Sequence, residues 1–287
     1  MIEVAFAAAA EVAEGPVWDV TRNALLWVDI YRAEVHLFDP VSGRDTVFDV
    51  GQPVGAAAAT TGGDLILAVR DGFARLDPES GNVQVVAAVE AALADNLMND
   101  GKCDRAGRFL AGTTTYSETA GAGALYRLNG DLTVDTVLAD VTLSNGIDWS
   151  PDGTLMYYVD SHLQRIDVLD YDVDGTVGDR RTFAEIPHSA GMPDGLTVDA
   201  DGFVWVALWG GAAVRRYAPD GGLERVLSLP VGFVTSCAFG GPELEQLYIT
   251  SSSWEFDAAR FAREPLAGAI FVTRPGVAGL PPTQARL

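Results

Sequence analysis

Short apolar runs rich in β-branched and aromatic residues recur along this chain, separated by turns of Gly, Asp and Asn, and each run is too short for a helix. The leading members are Leu25-Leu26-Trp27-Val28-Asp29, Leu65-Ile66-Leu67-Ala68-Val69, Arg108-Phe109-Leu110-Ala111-Gly112, Leu155-Met156-Tyr157-Tyr158-Val159-Asp160, Phe203-Val204-Trp205-Val206-Ala207 and Gln246-Leu247-Tyr248-Ile249-Thr250. Their starts lie 40, 43, 47, 48 and 43 residues apart, a self-similarity that marks a repeat architecture. Most are followed by a partner strand and a tight turn, as in Val35-His36-Leu37-Phe38-Asp39 before Ser42-Gly43, or Val214-Arg215-Arg216-Tyr217 before Asp220-Gly221. Antiparallel sheet is therefore expected throughout. The one helical candidate, Val89 to Ala94, is alanine-rich and too short to organise a core.

Six such units in 287 residues predict an all-β, six-bladed β-propeller occupying residues 1–287 as one domain. A ring of blades leaves only short protected edges, and the strand around Val4-Ala5-Phe6 is expected to pair with Ala269-Ile270-Phe271-Val272 and clasp it shut. A β-sandwich has a similar strand count, but its turns fall every 8–12 residues and the longer period argues against it.

Charge narrows the partners. With 19 basic and 40 acidic residues the net charge is −21, and Lys102 is the only lysine, so nucleic acid and anionic membrane surfaces are excluded as default partners. No uncharged apolar run is long enough to span a bilayer, and Glu3 and Glu11 interrupt the alanine-rich start, which lacks the basic region of a signal peptide. Cys103 and Cys237 make neither a disulfide framework nor a zinc ribbon. A cytoplasmic protein acting on a small molecule is the expectation; no oligomeric state follows.

In a propeller, the strand nearest the axis brings one side chain per blade to a central tunnel. Aligning the repeats on the glycine that opens each gives Glu14-Gly15, Val54-Gly55, Asp100-Gly101, Asn145-Gly146 and Asp194-Gly195, with Ser236-Cys237 sixth. Four of the six leading residues are acidic or amide. Carboxylates crowded about a narrow axis raise one another's pKa, so a positive partner is required, and oxygen donors of this kind suit a hard divalent cation such as Ca2+, the first choice, Mg2+ or Mn2+, with Fe2+ and Zn2+ as further candidates. His36, His162 and His188 share no repeat phase or i, i+4 pairing and do not make a histidine zinc site. Taken singly, each Asp-Gly or Asn-Gly is a turn former; Ser150-Pro151-Asp152-Gly153, Asp172-Val173-Asp174-Gly175 and Asp199-Ala200-Asp201-Gly202 are read as turns. No Gly-x-Ser-x-Gly elbow, dinucleotide fingerprint or phosphate loop is present. Trp27, Trp205 and Trp209 are assigned to the core, and Trp18 and Trp254 to a pocket or to packing.

The segments Ala13-Glu14-Gly15-Pro16-Val17-Trp18, Asn99-Asp100-Gly101-Lys102-Cys103-Asp104, Ser144-Asn145-Gly146-Ile147-Asp148-Trp149 and Pro193-Asp194-Gly195-Leu196-Thr197-Val198-Asp199 resemble the regucalcin and gluconolactonase family over nearly the whole chain. The resemblance implies one divalent cation held by Glu14, Asn145 and Asp194, with Asn99 touching the site through water or substrate. It also implies hydrolysis of a sugar lactone to the aldonic acid, with Asp194 as general base and Asp100 as the next choice. The chain departs from the family where an arginine common in its sugar-lactone members is Leu97, and the acidic substrate contact falls near Ser117, with Glu118 adjacent. Leu97, Met98, Tyr116 and Glu118 are thus expected on a more apolar pocket wall. The alternatives are a hydrolase of another ester or organophosphate using the same cation, and a calcium-binding propeller without turnover.

Overall fold

The computed structural model describes residues 1–287 as six four-stranded antiparallel sheets set around one axis. The innermost strands are Ala13–Asp19, Val54–Ala59, Asn96–Cys103, Ser144–Trp149, Met192–Val198 and Val234–Gly240, one for each of blades 1 to 6. Blades 1 to 5 run outward in chain order, whereas blade 6 takes its outermost strand, Glu3–Phe6, from the beginning of the chain. That strand pairs antiparallel with Ile270–Thr273, Val4 opposite Phe271, so the expected clasp is present and the sandwich alternative is excluded.

The second strand of each blade is packed on both faces, which is why its apolar run is continuous rather than alternating. Leu26 and Val28 pack with Leu65 and Leu67 of blade 2, while Leu25 and Trp27 of the same strand pack with Tyr248 and Ile270 of blade 6. The pattern repeats around the ring: Ile66 and Ala68 meet Phe109 and Ala111, Leu110 meets Met156 and Tyr158, and Trp205 and Ala207 meet Leu247 and Ile249. Period-2 geometry thus spreads the core over every blade interface. Fourth strands such as Arg44–Asp49 are half-exposed and polar.

Val89–Ala94 is turn, not helix. The single α-helix, Ala258–Arg263, lies in the connection between the last two strands of blade 6 and is capped by Asp257, whose carboxylate accepts the Arg260 N–H at 2.7 Å. No helix is long and apolar enough to cross a membrane.

Candidate metal centre

Every innermost strand breaks register at the same phase. The shifts fall between Glu14 and Val17, Val54 and Ala56, Met98 and Gly101, Ser144 and Ile147, Pro193 and Leu196, and Val234 and Cys237. A β-bulge turns its extra residue out of the pleat, and here it re-aims one side chain per blade. Counting five residues back from Asp19, Thr60, Asp104, Ser150, Asp199 and Gly240, each at or one place past the end of its strand, gives the equivalent positions: Glu14, Gly55, Asn99, Asn145, Asp194 and Thr235. The glycine alignment is therefore corrected at three blades, because Gly55, Asn99 and Thr235, not Val54, Asp100 and Ser236, occupy the shared position. In every blade but the third the following residue is small, because neighbouring inner strands nearly touch there: a Cβ on Gly195 would lie 2.0 Å from Ser236 Oγ, and one on Gly146 2.7 Å from the Asp194 carbonyl. At Gly55 itself a Cβ would lie 2.2 Å from the Asn99 carbonyl oxygen. Gly55→Ala should thus cost about 3 kcal/mol of stability, measured by denaturant unfolding; an unchanged midpoint would mean the strands have room to part.

Glu14, Asn99, Asn145, Asp194 and Thr235 all line one cavity of about 650 Å³ at the entry end of the axis. Glu14, Asn145 and Asp194 are buried, only 4%, 4% and 7% exposed. The loops that deliver Glu14 and Asn145 are held alike. Asp29 accepts the N–H groups of Glu11 and Val12, and Asp160 accepts those of Thr142 and Leu143, all at 2.8–3.1 Å. The amide of Asn145 donates to Ser161 Oγ at 2.9 Å, which leaves its Oδ1 facing Asn99 Nδ2 at 3.2 Å. Asn99 is anchored by donating to the Ser144 carbonyl at 2.8 Å.

Burial pushes the Glu14 carboxyl well above its ordinary pKa, with the Asp194 and Asp100 carboxylates adding to the shift. Asp194 is pushed up by burial first and by Asp100 second. No lysine or arginine lines this cavity to offset them. Two buried carboxylates and an oriented amide oxygen, without a positive side chain among them, fit a hard divalent cation, and Glu14, Asn145 and Asp194 are the groups that would hold it.

The remaining expected residues divide. Asp100 lies one step further along its strand and lines a second cavity, toward the exit end, with Lys102, Asp148 and Arg105. Burial raises its pKa to about 6 against the opposing pull of Lys102 and the Gly101 N–H. Lys102 donates at 3.0 Å both to Asp148 Oδ2 and to the Leu196 carbonyl, tying blades 3, 4 and 5 together. Met98 does not line the entry cavity; it precedes the bulge, so the pleat turns it into the core beside Phe73 and Phe109. Leu97, on the other face of that strand, is also buried and absent from the lining. Glu118 lines the cavity, its carboxylate 2.6 Å from His162 Nε2. Tyr116 is half-exposed, its ring 6.4 Å from that of Tyr31, which is in the lining.

Six lining residues were not expected: Val12, Ile30, Tyr31, Leu143, Met192 and Thr235. Trp209, assigned to the core, also lines the cavity, since it ends its strand where the sheet opens, stacked 4.0 Å from Phe233. Trp254 faces the entry cavity and Trp18 the exit cavity. Asp199 does more than make a turn: it also accepts from Trp205 Nε1 at 2.9 Å and from Arg216 at 2.6 Å, an ion pair buried under blade 5.

The fold and this axial cluster define a six-bladed propeller with an oxygen-donor site where its blades converge. Residues 12–253 match the family described as the SMP-30/Gluconolactonase/LRE-like region, and the chain belongs to that family. It is 37% identical to regucalcin of Gallus gallus over 94% of this chain and 93% of that protein. It is 34% identical to YvrE of Bacillus subtilis, provisionally named a sugar lactone lactonase, over 95% and 94%. A crystal structure of a calcium-binding protein, regucalcin, from Agrobacterium tumefaciens superposes with a TM-score of 0.95 at 30% identity, covering 99% of this chain and 97% of that one.

Proposed function

We propose that this chain is a divalent-cation-dependent lactonase whose cation, Ca2+ first among the candidates, is held by Glu14, Asn145 and Asp194. The observation that carries the reading is that two buried carboxylates and an oriented amide oxygen, from three different blades, meet in a cavity with no positive side chain. When bound, the cation supplies polarisation of an ester carbonyl and a lowered pKa for water. Asp194 is the base that takes a proton from the attacking water and returns it to the departing ring oxygen. Ser161, by accepting from the Asn145 amide, keeps the oxygen of that amide toward the site. No protein nucleophile is required, and the one aliphatic hydroxyl in the lining, Thr235, is spent on the Ala13 carbonyl at 2.6 Å.

The relatives bring the first substrates to test: the name of YvrE points to sugar lactones, hence to aldonolactones opening to aldonic acids. The Agrobacterium regucalcin, described as calcium-binding, favours a second reading in which the ion is bound without turnover. A pH-indicator assay over a panel of lactones and an organophosphate ester, with and without chelator, separates these. Acid release from a lactone that stops in chelator and returns with added Ca2+, Mg2+ or Mn2+ is expected. Turnover undiminished in chelator would overturn the cation-dependent reading, and tight Ca2+ binding with a silent panel would favour the second.

A further inference from the structure

The chemistry of the cavity wall bears on which lactone enters, an inference that rests on the lactonase reading. A polyhydroxylated ring needs donors and acceptors matched to each hydroxyl, because a hydroxyl buried without a partner costs binding energy. Few are free here. The Asn99 amide N–H groups are spent on the Ser144 carbonyl and Asn145 Oδ1, and the Thr235 hydroxyl is engaged by Ala13 and Thr250. Glu118 is an acceptor held by His162. The donors left without a protein partner are the Tyr31 phenol and the indole N–H groups of Trp209 and Trp254, three for a hexonolactone that carries four hydroxyls.

The rest of the wall is predominantly apolar: Ile30, Leu143 and Met192, with the rings of Tyr31, Trp209 and Trp254. Its aromatic members are fixed in place. Tyr31 packs on Trp254 with centroids 4.3 Å apart, Trp209 stacks on Phe233, and the Trp254 backbone N–H donates to Ser252 Oγ at 2.9 Å. Burial, with Tyr116 and Glu118 nearby, raises the Tyr31 pKa, so its phenol stays neutral. Arg260, in the neighbouring connection, lies about 4 Å over both Phe233 and Phe256 and also reaches Glu264. An acidic lactone would meet the carboxylates of Glu14, Glu118 and Asp194 with no cationic side chain in the lining.

We infer that the preferred substrate is an uncharged lactone bearing an alkyl or aryl substituent, with the ring at the Glu14–Asn145–Asp194 end and the substituent against Tyr31, Trp209 and Trp254. Binding and turnover test it separately. Quenching of tryptophan fluorescence by a pentyl-substituted δ-lactam, a slowly hydrolysed analogue, should saturate at a concentration at least about tenfold lower than for a polyhydroxylated lactam of the same ring size. Trp254→Ala should erase about tenfold of that preference, and Trp254→Phe should keep it. In turnover, kcat/KM for a pentyl δ-lactone should exceed that for glucono-δ-lactone, and Trp254→Ala should raise KM for the former by a larger factor than for unsubstituted δ-valerolactone. Equal or tighter binding of the polyhydroxylated lactam, or a higher kcat/KM for glucono-δ-lactone, would overturn the inference and leave the lactonase reading intact. A panel in which no lactone is opened would remove the lactonase reading instead, and the lactam pair would still decide the preference of the wall.

Discussion

Asp194→Asn is expected to cut lactone turnover by about a thousandfold, because in the proposed mechanism it removes both the proton acceptor and one of the two buried carboxylates that would hold the cation. Ca2+ affinity, read by calorimetric titration, should fall in the same variant, while the β-sheet circular dichroism stays at the parent level. Asp100→Asn is the control. Its side chain lines the exit-end cavity beside Lys102, so turnover should stay within about tenfold of the parent. The reverse ranking, with Asp100→Asn inactive and Asp194→Asn active, would transfer the base to Asp100 and undo the assignment made from the bulge positions.

The cation-free protein should lose stability as pH rises, the opposite of the usual behaviour of a carboxylate in an ion pair. Glu14, Asp100 and Asp194 all hold protons in the folded state at pH values where the unfolded chain has released them. The native state then binds more protons than the unfolded one, so unfolding free energy falls with increasing pH. The loss begins near the ordinary carboxylate pKa of 3.8; for Asp100 it is complete above about 6, and for Glu14 and Asp194, raised well above their ordinary values, it continues upward. Asp100 alone accounts for a change on the order of 3 kcal/mol. A divalent cation competes with those protons, so its stabilising effect should be larger at pH 8 than at pH 5. Thermal melts in chelator and in excess Ca2+ across that range measure both trends. A chelated protein whose melting temperature climbs from pH 5 to pH 8 would show that these carboxyls are not buried together.

The ring was legible because its period is written in residues that must be apolar. Leu26, Leu67, Tyr157 and Val206 are each packed between blades, and a polar residue at any of them would be stranded there. Glu14, Asn145 and Asp194 stood out because they break the apolar pattern at a common phase. What misled was the bulge, since a residue outside the ladder shifts the count without altering the type of residue around it. In blade 3, Asp100-Gly101 mimics the Asp194-Gly195 dipeptide while standing one place later. The signal that corrects it lies at the strand ends: Asp19, Asp104 and Asp199 close their turns, and five residues before each stands Glu14, Asn99 or Asp194. Met98 and Trp209 could not be sorted this way, because whether a side chain meets the core or the cavity depends on where the sheet opens. The helix Ala258–Arg263 was missed although Asp257 is a good cap, because it occurs once, in a connection that the repeat does not predict.

The clasp of Glu3–Phe6 on Ile270–Thr273 carries a consequence for biosynthesis. The first of these segments leaves the ribosome long before the second, so the nascent protein must wait, unsealed, with the flanks of finished blades presented to its surroundings. Contacts so distant in sequence form slowly, and exposed sheet flanks invite association with other chains. Translation speed and chaperone supply, rather than the strength of any one blade, should therefore govern how much of the product is recovered in soluble form.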